Sequence, residues 1–270
     1  MGTLQRAFSK KNRTLLHELV KTDFKLRYQG SVLGYAWSLL RPLMLFGILY
    51  VIFALVIKSG DGIPHFPVYL LLGIVIWTFF TDMTQQSLGS IVGRGDLIRK
   101  IRIPRWIVVF SSSLGALINL GLNLVVVIVA MLINHVPLQG SIVYIPFLLL
   151  ELYLFGLGCA FFLSAAFVRF RDIQYIWEVV VQMGFYLTPI LYAMSIIPER
   201  FQKLQLLNPV AQVIQDARYS LVTDHPKVIT IWHLFDGGWY ALLPFITVLI
   251  VLVGGIAFFR SQQNSFAENL

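Results

Sequence analysis

Six apolar runs long enough to cross a bilayer restrict this chain to one kind of fold. A hydrocarbon core of about 30 Å needs about 20 helical residues. Runs of that order lie near residues 35–57, 67–88, 106–133, 142–168, 173–197 and 239–259. Lipid offers the backbone no hydrogen-bond partner, so each run must satisfy its own amides as a helix. The fold class expected is an all-α integral membrane protein with six transmembrane helices. Charged residues make up 13% of the chain and hydrophobic types 57%. A soluble domain carries roughly 25% charge.

An even number of spans returns both termini to one side, and Lys and Arg say which. Seven precede Tyr35, Arg41 lies just inside the first run, and five fall in residues 93–105; Arg169, Arg171 and Arg260 complete that side. The other side has Lys58, Arg200, Lys203, Arg218 and Lys227. This asymmetry predicts a multi-pass protein of the cytoplasmic (inner) membrane with both termini cytoplasmic. The net charge of +8 raises the question of nucleic acid, but the basic residues cap apolar runs and form no groove with interleaved aromatics. Lipid headgroups and a cytoplasmic protein are the partners that pattern suits, with no nucleic acid.

Ahead of the first run, Leu16, Val20, Phe24 and Tyr28 recur every four residues beside Leu15, Leu19 and Leu26. They form one apolar stripe opposite a mixed, mainly basic face. Such a helix lies along a membrane surface or packs on a globular core. Gly30 and Gly34 loosen the backbone where the chain turns into the bilayer, and Tyr35 and Trp37 suit the headgroup level. Arg41-Pro42 sits within the first turns of the span, the arginine reaching back to the headgroups.

The second run ends in Thr78, Thr81, Asp82, Thr84, Gln85, Gln86 and Ser87; this end either faces a wet cavity or has left the hydrocarbon. In the loop at 93–105, Asp96 near the start and Arg99, Lys100 and Arg102 towards the end fit the dipole of a short helix stopped by Pro104. Asn119 and Asn123 share a face of the third run, as helix–helix bonding groups or as groups of a transport pathway. Glu151 lies inside the fourth run and must be paired, protonated or facing water. Gly156 and Gly158 follow it and permit close packing. Arg169-Phe170-Arg171-Asp172 makes a tight turn within reach of Glu178, and Cys159 is a small packing residue. The fifth run breaks at Thr188-Pro189. Residues 195–238 then read as two short amphipathic helices divided at Asn208-Pro209 and resting in the outer interface, either gating an exit or only capping the bundle.

Several chemistries lack their residues. No GxxxxGK[ST] phosphate loop occurs, the five histidines are scattered without metal-ligand spacing, and no GxSxG elbow is present. A membrane enzyme would need acidic or histidine clusters at one face. An ion-coupled pump would need more buried ionisable groups. No metal and no catalytic residue is therefore expected, and energy for transport must come from elsewhere.

Arg27-Tyr28-Gln29-Gly30-Ser31, with Leu33-Gly34, Trp37 and Pro42, resembles the start of the first span in type-2 ABC exporter permeases of the polysaccharide, O-antigen and teichoic acid export family. The loop at 94–104, the Arg169–Asp172 turn, Thr188-Pro189-Ile190 with Tyr192, and Leu207-Asn208-Pro209 resemble that family in the same order over essentially the whole chain. The resemblance implies a single transmembrane domain over 1–270: an interface helix at 1–34, a six-span bundle at 35–259 and a cytoplasmic tail at 260–270. It implies a homodimer with two copies of a separate ATP-binding subunit. ATP and Mg²⁺ would sit on that subunit, leaving this chain no cofactor of its own.

By the same resemblance, Arg94, Asp96, Arg99, Lys100 and Arg102 form a coupling helix seated in the ATPase. Arg27, Tyr28, Gly30, Gly34, Trp37 and Arg41 shape the way into the membrane, and Pro198, Asn208 and Pro209 belong to outer re-entrant gate helices. Trp77, Phe79, Phe80, Tyr153, Trp177 and Tyr186 are candidates to stack on sugar faces along the substrate path, or else pack on neighbouring helices. The cargo implied is a polyprenyl-diphosphate-linked glycan: O-antigen, rhamnose-rich cell-wall glycan or teichoic acid. A type-2 permease for lipid or drug efflux is the alternative, and a purely structural membrane partner would leave the loop at 93–105 without a purpose.

Overall fold

A computed structural model describes residues 10–28, 30–58, 60, 62–100, 103–235, 238–263 and 266, without the side chains of Lys10, Lys11, Phe24, Leu26, Arg27, Tyr28, Arg99 and Lys100. Among the described residues there is no β-strand. Helix α1 (Lys10–Tyr28) precedes a turn at Gly30 (φ +80°) and Gly34 (φ +48°). These left-handed values favour glycine, so the chain changes direction where the sequence offers it. Helix α2 (Trp37–Tyr50) then runs through Pro42 and continues in a wider π turn, Val51–Val56. There follow α3 (Phe66–Leu88), the short α4 (Gly95–Lys100), α5 (Arg105–Ile133), α6 (Ile145–Arg169) and α7 (Ile173–Leu187). Next come α8 (Glu199–Leu206), α9 (Pro209–Leu221), α10 (Ile231–Leu234) and α11 (Leu243–Gln262).

Among the described residues, five helical stretches are long and apolar enough to span a membrane: Gly34–Val56, Phe66–Leu88, Arg105–Ile133, Gly140–Arg169 and Trp239–Gln262. Their bounds follow the hydropathy closely. The remaining apolar run behaves differently. It forms α7 for 15 residues only, about 22 Å at 1.5 Å per residue, and stops at Thr188-Pro189, where the proline lacks an amide hydrogen. The apolar residues up to Ile197 fold into turns instead of prolonging the span.

Helix α3 is the axis of the bundle and is buried along most of its length, with α5 and α6 packed on it. Helix α11 lies along α6, where the backbones meet at glycine. A Cβ on Gly255 would lie 2.1 Å from the carbonyl oxygen of Gly158, and one on Gly158 would lie 2.7 Å from the Leu252 backbone. Helix α1 packs against α5, with Leu19 of its apolar stripe buried on the bundle.

We call the end carrying α1 and α4 basal and the end carrying α8–α10 distal. The two short helices fall where the sequence divides them: Asn208 caps α9 by accepting from Val210 N at 3.0 Å, and Pro209 takes the first helical position. Pro198 stands at the start of α8. Helix α9 does not rest on a surface, however. It is sunk among α3, α6 and α11, with Gln212, Gln215, Asp216 and Arg218 buried. Gln212, Asp216 and Arg218 bond inside the protein, which makes that depth tolerable for them. Arg218 therefore drops out of the count of loop charges, and the basic asymmetry between the two ends grows.

Candidate functional site

Three helices, α2, α3 and α7, leave a cavity between them. About 290 Å³ of it is lined by Arg41, Trp77, Thr78, Asp82, Gln85, Gln182, Phe185 and Tyr186, among others. A neighbouring space of about 210 Å³ shares Arg41, Pro42, Thr78 and Asp82 and adds Ser31, Trp37, Ser38 and Asn119. The polar string on α3 thus stays helical to Leu88, and Thr78, Thr81, Asp82 and Gln85 turn one face of it to this cavity. Residues 78, 81, 82 and 85 recur at three- and four-residue steps, so a single helix carries them as a stripe.

Trp77 closes the cavity on the distal side. Its ring seats over Gly184, where a Cβ would come within 2.7 Å, and it meets Phe80 at 6.0 Å and Phe185 at 6.2 Å between centroids. Phe185 meets Tyr186 edge-on at 5.4 Å, and Tyr186 is 62% exposed. The result is a patch of aromatic rings above a polar stripe with one arginine at its basal rim. Rings of this kind take the apolar faces of sugars, and a guanidinium takes a phosphate in a fork of hydrogen bonds.

The other aromatic candidates do not line this cavity. Phe79 and Phe80 are buried, Phe80 stacked on Phe155 at 5.6 Å. Trp177 donates through Nε1 to Thr84 Oγ1 at 3.0 Å, joining α7 to α3. The Tyr153 hydroxyl shares a hydrogen bond with Ser113 at 3.0 Å, joining α6 to α5. Conversely, sequence reasoning passed over Gln182 and Phe185. A signal was present: 182, 185 and 186 share a helix face, so the one amide in that stretch lies beside two aromatic rings.

At the basal end α4 carries Asp96, exposed, in its first turn. Arg94 is committed inward. It pairs with Asp23 of α1 and donates to Ser111 Oγ at 3.2 Å and the Val108 carbonyl at 3.4 Å. The side chains of Arg27, Tyr28, Arg99 and Lys100, and Arg102 as a whole, lie outside the described residues. Asn123 bridges helices, donating to the Asn119 carbonyl at 2.8 Å and to the Ser38 carbonyl of α2 at 3.3 Å. Glu178 accepts from Gln174 at 3.1 Å; it makes no ion pair with Arg169 or Arg171, whose guanidiniums lie over the rings of Phe170 and Phe167. One turn along the helix is nearer than the loop arginines.

At the distal end Glu151 of α6 is buried against Gln212 and Asp216 of α9. Gln212 Nε2 donates to Asp216 at 2.7 Å. Neither oxygen of Glu151 closes a hydrogen bond of good geometry among the described residues.

Comparison with known proteins adds relatives to this geometry. Residues 14–222 match the family model described as ABC-2 type transporter. The chain is 30% identical over 261 residues to an O-antigen export system permease protein RfbA of Klebsiella pneumoniae, covering 95% of each chain. It is 30% identical to the RfbA protein of Myxococcus xanthus, covering 96% of each. It is 21% identical to the polysialic acid transport protein KpsM of Escherichia coli, over 94% of this chain and 95% of that one.

Proposed function

The chain belongs to the ABC-2 type transporter family, and from that premise we propose that it is the permease subunit of an ATP-driven exporter of lipid-linked polysaccharide. The observation that carries this reading is the cavity between α2, α3 and α7, which combines Arg41, a polar stripe and the rings of Trp77, Phe185 and Tyr186. A glycan on a lipid diphosphate presents the complementary parts: an anion, hydroxyl groups and flat sugar faces. The relatives named for O-antigen export and polysialic acid transport support the same class of cargo.

In this reading the basal end is cytoplasmic, as its basic excess requires, in the inner membrane. Asp96, with Arg99, Lys100 and Arg102, meets a separate ATP-binding subunit that holds ATP and Mg²⁺. Arg94 acts earlier in that chain of contacts, fixing the loop to α1 and α5. Two copies of the subunit enclose the path. Their exposed apolar flanks on α2 and α7 are the natural facing surfaces, because Met44, Ile48, Val179, Met183 and others there have no covering partner within one copy. Arg41 receives the diphosphate and the aromatic patch the first sugars, while α8 and α9 cover the distal end. Rings that stack without reading individual hydroxyls would pass a repeating polymer of varied sugars.

Alanine in place of Trp77 or Tyr186 tests this. Each should slow glycan export by roughly two- to tenfold at constant membrane abundance, the range supported by a stacking contact of about 0.5–1.5 kcal/mol. Export that follows abundance alone would remove the stacking role.

A further inference from the structure

Arg218 of α9 is 0% exposed, the largest side chain so deeply buried. Among the described residues no carboxylate pairs with it; Asp216, two residues away, is taken by Gln212 and the Ile231 amide. Its charge is met by backbone and by a ring. Nε donates to the Tyr69 carbonyl at 3.0 Å, Nη1 to the Pro189 carbonyl at 2.6 Å and Nη2 to the Ile190 carbonyl at 2.7 Å. The guanidinium lies 3.6 Å from the centroid of the Tyr69 ring. Room for it exists because residue 73 is glycine; a Cβ there would lie 2.4 Å from Nη2.

These contacts join three segments. Tyr69 and Gly73 belong to α3, Pro189 and Ile190 to the turn ending α7, and Arg218 to the distal pair. The turn is bound to the pair a second time, since Gln205 of α8 donates to the Leu187 carbonyl at 2.8 Å. The α7 end and the α8–α9 pair therefore hold each other by several hydrogen bonds. Through Arg218, their attachment to α3 is one carbonyl and one aromatic face. Only a planar fork of donors serves two such acceptor sets at once; an ammonium group is a single point.

We propose that Arg218 is a latch: a positioning residue that keeps the distal pair closed on α3, and whose release from Tyr69 frees the pair to move together with the end of α7. This rests on the reading of α8 and α9 as the cover of the path. The test uses the full chain with its ATPase partner in proteoliposomes without nucleotide. A single reporter cysteine at position 211 (A211C with C159A), 0% exposed and seven residues before Arg218 on the same face of α9, is labelled from the distal side by a membrane-impermeant maleimide.

Labelling should be slow in this parent. R218K and G73A should each speed it about tenfold, the effect of losing one charge-assisted hydrogen bond, at unchanged abundance. Y69F should leave the rate alone, because the Tyr69 carbonyl and ring face both persist. A parent rate in R218K at normal abundance overturns the latch and leaves the cover standing. Should R218K fail to accumulate, G73A decides in the same way, since it keeps the arginine and only displaces it. Fast labelling of the parent itself would remove the cover, and the latch with it.

Discussion

Arg94 turns away from its own loop and meets Asp23 of α1, with both side chains partly screened at 18% and 26% exposure. Exposed ion pairs contribute about 0–1 kcal/mol, and breaking a fully buried one costs about 3–5 kcal/mol; this pair belongs between them. Alanine at either position should cost about 1–2 kcal/mol on unfolding of the purified protein in mild detergent. The double variant should cost little more than a single one, because the two changes remove the same contact. Additive losses would show that the residues act separately. Nothing in the sequence around Arg94 distinguishes it from Arg99 or Arg102, since the partner that claims it lies far back in the chain. Arg218 was illegible for the same reason: beside Tyr219 and Ser220 it reads as a loop charge, and its burial depends on a glycine in α3. Trp77, Tyr186 and Arg41 were more accessible to sequence reasoning, because amphipathic residues inside apolar runs need a reason to be there.

Helices are the level at which hydropathy speaks most directly. The five long spans begin and end within about three residues of where composition places them, because a length set by the bilayer leaves little choice. The division of α8 from α9 was equally plain at Asn208-Pro209, a capping residue followed by a residue suited to the first turn. The fifth run breaks at Thr188-Pro189, as its sequence signals, and only the stretch beyond the break departs from a span, because the apolar residues after Pro189 mimic a continuing one. Only distant donors reveal why the chain can unwind there. Close packing of α6 on α11 gives a test at this scale. G255A should destabilise the bundle by about 1–3 kcal/mol, the usual cost of overpacking, because the new methyl meets the Gly158 carbonyl at 2.1 Å. G254A has open space around it and should be neutral or slightly stabilising. Equal melting temperatures for the two variants would contradict the packing described.

One copy of this chain leaves α2 and much of α7 uncovered, and the cavity they flank is open along that side. If two copies face each other there, a cysteine at Val179 or Met183 should form an intermolecular disulfide under mild oxidation. One at Val125, exposed on α5, should not. The reverse pattern would place the contact elsewhere and take the shared path with it. The early stop of α7 also bears on how the protein is made. The carbonyls of Leu187, Pro189 and Ile190 are taken by Tyr192, Gln205 and Arg218, and neither lipid nor an unfinished bundle supplies substitutes. Until residues 188–218 have followed it out of the ribosome, the nascent chain carries a stub about two-thirds of a bilayer deep with unpaired ends. Insertion of this region is thus an event completed at Arg218, and the translocon must shelter the stub until then.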